Sequence, residues 1–69
     1  MTVTEKDRKR RALHYLREIR ADEAAMLRRM EGIELTEVII ARNKITMTLA
    51  EIDQMIRNTE SYLEQEESA

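Results

Sequence analysis

The sequence predicts an all-α fold: an antiparallel two-helix hairpin of coiled-coil type that dimerises into a four-helix bundle. Of its 69 residues, 38% are charged, one is Gly and none is Pro, a composition typical of long helices rather than sheets. Apolar residues recur in alternating steps of three and four along both halves. Residues 1–32 carry nine Lys/Arg and six Asp/Glu, whereas residues 33–69 carry three and eight. Antiparallel pairing of the halves therefore brings opposite charges together.

The first helix is expected over about residues 3–31. Thr2 and Glu5, like Thr4 and Asp7, have the spacing of a capping box, in which a hydroxyl satisfies a backbone N–H group at the helix start. Steps of four and three then predict the residues that face the second helix, namely Ala12, Leu16, Ile19, Glu23, Met26 and Met30.

Gly32 predicts the turn, over residues 32–36, because glycine adopts a left-handed backbone at low cost. Thr36 is the expected N-cap of a second helix over about 37–65. The acidic tail 66–69 is expected to fray, because carboxylates are unfavourable at the negative end of a helix. The predicted inward residues are Leu35, Val38, Arg42, Ile45, Leu49, Ile52, Ile56, Thr59 and Leu63. A chain of this length forms one domain, 1–69.

Two charged residues interrupt the apolar repeat, Glu23 in the first helix and Arg42 in the second. If the chain folds back symmetrically at Gly32, these two residues lie level and Met30 lies against Leu35. A charge pair at core positions penalises every alignment that leaves one partner unpaired. The sequence therefore predicts that Glu23 and Arg42 fix the register of the hairpin.

More apolar residues are present than two packed helices can cover. The expected oligomerisation and protein-interaction surface consists of Ile39, Ile40, Met47 and Met55. Self-association into a homodimer is the commonest way for hairpins of this size to complete a core, and exposed apolar patches also mark docking sites for other proteins.

No catalytic, cofactor-binding or metal-binding residues are predicted, and no small-molecule substrate. The chain has no Cys, no glycine-rich phosphate loop and no Glu-x-x-His motif before its single histidine, His14. His14 and Glu18 share a helix face, but two ligands do not close a metal site. No apolar stretch approaches the roughly 20 residues of a membrane span, and the N-terminus is too polar for a signal peptide, so a cytoplasmic location without membrane contact is expected.

A basic cluster at the start of the first helix offers the second functional signal. The candidate nucleic-acid contacts are Lys6, Arg8, Lys9, Arg10, Arg11 and Arg17. Arginine suits phosphate contacts, but acids are interleaved, the pI is about 5.4, and the acidic end of the second helix is expected alongside.

Two functional hypotheses follow from these observations. The first is a non-enzymatic protein-interaction module, such as a small regulator, inhibitor or assembly factor, that acts through a self-associating hairpin. The alternative is a nucleic-acid-binding dimer that uses the basic part of the first helix.

Overall fold

The computed structural model describes residues 3–68, with side chains described for residues 3–65. It confirms the two-helix hairpin: α1 spans Glu5–Arg29 and α2 spans Thr36–Ser68. Thr4 is the N-cap of α1, and its Oγ1 accepts a hydrogen bond from the backbone N–H of Asp7 at 3.1 Å, as predicted. Thr2 and Ala69 lie outside the described residues. The side chains of the predicted tail, 66–69, also lie outside the described residues, and the backbone is helical to Ser68.

A β-turn over Met30–Ile33 ends α1. The backbone N–H of Ile33 donates to the Met30 carbonyl oxygen at 3.4 Å, and Gly32 holds a φ of +79° at the third position of the turn. This position requires a left-handed backbone, which explains why the chain has its glycine there. The second helix begins at Thr36, one residue earlier than predicted, because the Leu35 carbonyl oxygen already accepts from the Ile39 N–H at 2.9 Å.

The core between the helices is small. Four apolar side chains are buried in the described hairpin: Leu13 at 8% exposure, Ile45 at 8%, Ile52 at 6% and Leu63 at 9%. Three of them belong to α2 and lie at positions that the sequence predicted to face inward. Leu35, which was also predicted to face inward, is exposed because it precedes α2.

The inward stripe of α1 matches the predicted one only in part. Leu16, Glu23 and Met30 are half-buried, as predicted, whereas Ala12, Ile19 and Met26 are exposed. Each exposed residue precedes by one position a residue that faces α2, namely Leu13, which is buried, Arg20, or Leu27, which is half-buried. We call Leu13, Leu16 and Leu27 the leucine stripe. The prediction for Ala12, Ile19 and Met26 is therefore wrong, because the leucine stripe supplies the contacts with α2.

The helices also pair in a different register. The Arg42 Nη1 group donates to the carbonyl oxygen of Met30 at 3.3 Å, whereas the predicted register set Leu35 against Met30. The difference of seven residues is about two helical turns. Glu23 is half-buried and forms no ion pair with Arg42 within the described residues. The predicted register pair is therefore corrected: Arg42 instead places a positive charge at the negative end of α1.

Residues 30–35, which connect the two helices, account for this shift in register. The longest dimension of the molecule is 50 Å, close to the roughly 50 Å expected for the 33 residues of α2 alone at about 1.5 Å per residue. The shorter α1 therefore lies within the length of α2. Since Met30 lies beside Arg42, the six residues 36–41, more than one turn of α2, extend past the end of α1, and residues 30–35 carry the chain outwards before it returns.

The turn supports a stability prediction. An added Cβ at Gly32 would meet no atom within 4 Å, so a substitution there loses stability only because the backbone has a positive φ. We expect Gly32→Ala to lower the free energy of unfolding by about 1 kcal/mol. Urea unfolding followed by circular dichroism at one fixed protein concentration measures this change. Glu31→Ala, at the neighbouring position, is the control, and equal stabilities of the two variants would contradict a strained turn.

Candidate interaction surfaces

Two ion pairs join the helices along one face of the hairpin, which we call the bridged face. The Arg17 Nη2 group donates to Glu60 Oε2 at 2.8 Å. The Arg20 guanidinium donates from Nε to Asp53 Oδ1 and from Nη2 to Asp53 Oδ2, the latter at 3.5 Å. The two-pronged contact of Arg20 restricts the angle as well as the distance between the helices.

The Arg20–Asp53 pair changes the protonation of both groups. The hydrogen bond from Arg20 lowers the pKa of the Asp53 carboxyl group below its usual value; partial desolvation opposes this shift, and the charges of Arg20 and Arg57 add smaller contributions that lower the pKa. The same bond raises the pKa of Arg20. Both side chains remain partly exposed, at 46% for Arg20 and 34% for Asp53, so solvent screens the pair.

A second stripe of α1 is left uncovered. Leu13 and Arg20, seven residues apart, face α2, and Ala12 and Ile19 each precede one of them by one position. One position rotates the side chain by about 100° around a helix. The exposed stripe of Ala12, Ile19 and Met26 therefore lies on the side of α1 away from Arg17.

The second helix continues this uncovered surface. Asp53 follows the buried Ile52 by one position and reaches the bridged face. Met55 follows Ile52 by three positions, which places it on the opposite side of the inward stripe of α2. Thr48 follows the buried Ile45, and Thr59 follows the half-buried Ile56, by the same three positions, and both threonines are half-buried at the border between this surface and the core. Hence the stripes of both helices share the face opposite the bridges, and we call it the open face: Ala12, Ile19, Met26, Thr48, Met55 and Thr59.

The open face is apolar at its centre, with Glu23 between Ile19 and Met26 and with Lys44 and Glu51 beside Thr48 and Met55. Ile19, Met26 and Met55 are 47%, 46% and 49% exposed. The hydroxyl of Thr48 donates to the Lys44 carbonyl oxygen at 3.0 Å, and that of Thr59 donates to the Met55 carbonyl oxygen at 2.8 Å. Because both hydroxyl protons are donated within the helix, neither threonine needs an outside acceptor for its hydroxyl proton.

The residues predicted to mediate interactions divide between two surfaces. Met55 belongs to the open face, and Ile39 is half-buried near the start of α2. Ile40 and Met47 are seven residues apart on the outer side of α2, 50% and 65% exposed, and we call them the outer stripe. The hairpin therefore has two separate apolar surfaces.

The candidate nucleic-acid contacts are spread around α1 and several of them have partners. Lys9 Nζ lies 5.3 Å from the centre of the Tyr62 ring, a cation–π contact with the end of α2. Arg10 approaches Asp7 at 3.8 Å, and Arg17 pairs with Glu60. Lys6 is half-buried. The last two candidates, Arg8 and Arg11, are exposed.

The described residues show no assembled catalytic or metal centre. His14 Nε2 lies 3.1 Å from Glu18 Oε1 on the solvent side of α1. Within the described part of the chain, no group of three His, Cys, Asp or Glu is placed to hold a metal ion, and no pocket is found. Neither α1 nor α2, as far as they are described, is long and apolar enough to cross a membrane.

The sequence reasoning missed the exposure of Ile19 and Met26, which it placed between the helices. Charge complementarity gave no signal that would have corrected this, because Arg20–Asp53 and Glu23–Arg42 are both acid–base pairs. Neither a protein-family model nor a curated protein nor a solved structure matches this chain.

The bridged face supports a pH prediction. Because the folded pKa of Asp53 is lowered, its ion pair adds stability above the unfolded pKa of about 3.9, and this stability is lost as the pH falls through the folded pKa. We expect Asp53→Asn to have a lower Tm than the natural chain at pH 7, and the difference to shrink as the pH falls below about 4. Thermal unfolding followed by circular dichroism measures it.

Asp22→Asn is the matched control, since Asp22 is an exposed α1 carboxylate with no ion pair among the described residues. Its Tm should follow that of the natural chain at every pH. The same pH-dependent difference in both variants would show that Asp53 has no special role.

Proposed function

We propose that this chain is a non-enzymatic protein-interaction module, a small regulator, inhibitor or assembly factor, whose hairpin dimerises into a four-helix bundle. The observation that carries the proposal is the imbalance between buried and exposed apolar residues. Four apolar side chains are buried in the described hairpin, whereas nine large ones are exposed. A two-helix hairpin with so small a core gains too little from burial to offset the entropy of ordering its chain.

A second copy supplies the missing burial. In a four-helix bundle each helix contacts two neighbours, so it needs two apolar stripes separated by roughly a right angle. The leucine stripe of α1 and the exposed stripe of Ala12, Ile19 and Met26 have this relation, at about 100°. Burying apolar surface on association adds its free energy to that of folding.

The outer stripe supports the second half of the proposal, contact with a different protein. Ile40 and Met47 lie on the side of α2 away from α1, so neither the core nor the open face includes them. Exposed apolar residues outside an oligomer contact are typical of docking sites for partner proteins. The three surfaces together favour a module that associates through one face and presents another.

Sedimentation equilibrium tests the oligomer directly. We expect a mass of about twice the 8.2 kDa of one chain at micromolar concentration, with a Tm that rises with protein concentration because association and folding are linked. A monomeric mass and a concentration-independent Tm across this range would refute the proposal. Helicity measured by circular dichroism in the same samples verifies that the chain is folded.

The exposed Arg8 and Arg11 support a second candidate function, a nucleic-acid-binding dimer. Neither arginine has an ion-pair partner in the described hairpin, and both lie on the first turns of α1. The partners of Lys9 and Arg17 weigh against this candidate, because a phosphate contact would have to displace Tyr62 or Glu60.

Fluorescence anisotropy with labelled random duplex DNA and a structured RNA distinguishes the two candidates. The interaction-module proposal predicts little binding and little change between about 50 and 200 mM salt. Nucleic-acid binding instead predicts a steep loss of affinity with salt, abolished by Arg8→Glu with Arg11→Glu. Arg28→Glu with Arg29→Glu, the exposed arginine pair at the other end of α1, is the matched control.

A further inference from the structure

We infer that the open face is the surface on which the second copy packs, and that the outer stripe stays accessible in the assembly. The inference rests on the proposed self-association and specifies where it occurs. The face is defined by the stripe of Ala12, Ile19 and Met26 on α1 and by Thr48, Met55 and Thr59 on α2.

The hairpin exposes more surface than a compact monomer of its mass, and the excess is comparable to the area that one partner buries in a protein interface. Its accessible surface is 5609 Å², whereas a compact monomer of this mass exposes about 4,500 Å². The excess of about 1,100 Å² is close to the roughly 800 Å² that each partner buries in a standard protein interface. A second copy laid along one long face of the hairpin removes an area of this size.

The open face is also chemically suited to meet itself. A two-fold contact places the same patch on both sides, so a patch with net charge of one sign would repel its copy. The six residues that define the open face are uncharged, the neighbouring Glu23, Lys44 and Glu51 carry both signs of charge, and the hydroxyl protons of Thr48 and Thr59 are already donated within α2. Covering the face therefore leaves none of these hydroxyl protons without an acceptor.

The other two surfaces are less suitable for the second copy. The bridged face carries the side chains of Arg17, Arg20, Asp53 and Glu60, and covering it would take two partly solvated ion pairs out of water. The outer stripe has no apolar continuation onto α1, because it lies on the far side of α2. The open face, by contrast, continues directly into the core through the half-buried Leu16.

Methionines at three positions allow a matched test. The chain has no cysteine, so Met26→Cys, Met55→Cys and Met47→Cys each introduce a single thiol by the same substitution. The first two positions belong to the open face and the third to the outer stripe, and all three are exposed in the single hairpin. The rate of alkylation by iodoacetamide is measured for each variant above and below the concentration at which the natural chain associates.

We expect association to slow alkylation at positions 26 and 55 by about tenfold or more, while position 47 changes by less than about twofold. Protection at position 47, or no protection at 26 and 55 in a chain that associates, would overturn the inference and leave the proposed self-association intact. If the natural chain stays monomeric, all three rates are independent of concentration, and the proposed function itself fails.

A charge substitution gives an independent readout. Met26→Glu should dissociate the dimer in sedimentation, since it buries a carboxylate in the contact, and Met47→Glu should leave the dimer unchanged. If Met26→Glu does not fold, as judged by circular dichroism, the alkylation rates of the cysteine variants decide. A dimer that resists Met26→Glu but dissociates with Met47→Glu would contradict the inference.

Discussion

The register of α1 against α2 determines every surface of this hairpin. The Arg20–Asp53 and Arg17–Glu60 bridges lie along one side of the helix pair, and the hydrogen bond from the Arg42 side chain to the Met30 carbonyl oxygen marks how far α2 extends past the turn. With the helices so placed, the leucine stripe of α1 meets α2. The stripe of Ala12, Ile19 and Met26, rotated by about 100°, is left on the open face.

This arrangement separates the charged and the apolar contacts of the molecule. One long face holds the ion pairs, whose partly exposed groups give specificity of alignment more than stability. The opposite face holds Ile19, Met26 and Met55, three of the nine large apolar side chains that are exposed in the described part of the hairpin. An exposed apolar face of this kind is the basis of the proposed self-association.

Local features of the fold follow from the sequence, whereas the register does not. The Thr4 cap, the turn at Gly32 and the inward positions of Ile45, Ile52 and Leu63 each depend on neighbouring residues and were predictable. The choice between the two stripes of α1 depends on the path of residues 30–35, which a helical repeat does not encode. Glu23 with Arg42 and Arg20 with Asp53 are both acid–base pairs, so charge complementarity alone does not choose between the two registers. Because the register was ambiguous, the exposure of Ile19 and Met26 could not be predicted from the sequence.

A double-mutant cycle tests the register most directly, because it isolates the interaction of two residues from their separate effects on stability. The free energy of unfolding is measured for the natural chain, Arg20→Ala, Asp53→Ala and the double variant, and a second cycle does the same for Glu23 and Arg42. The register described here predicts a favourable coupling free energy between Arg20 and Asp53 and none between Glu23 and Arg42. Coupling only in the Glu23–Arg42 cycle would contradict this register and the assignment of the open face that depends on it.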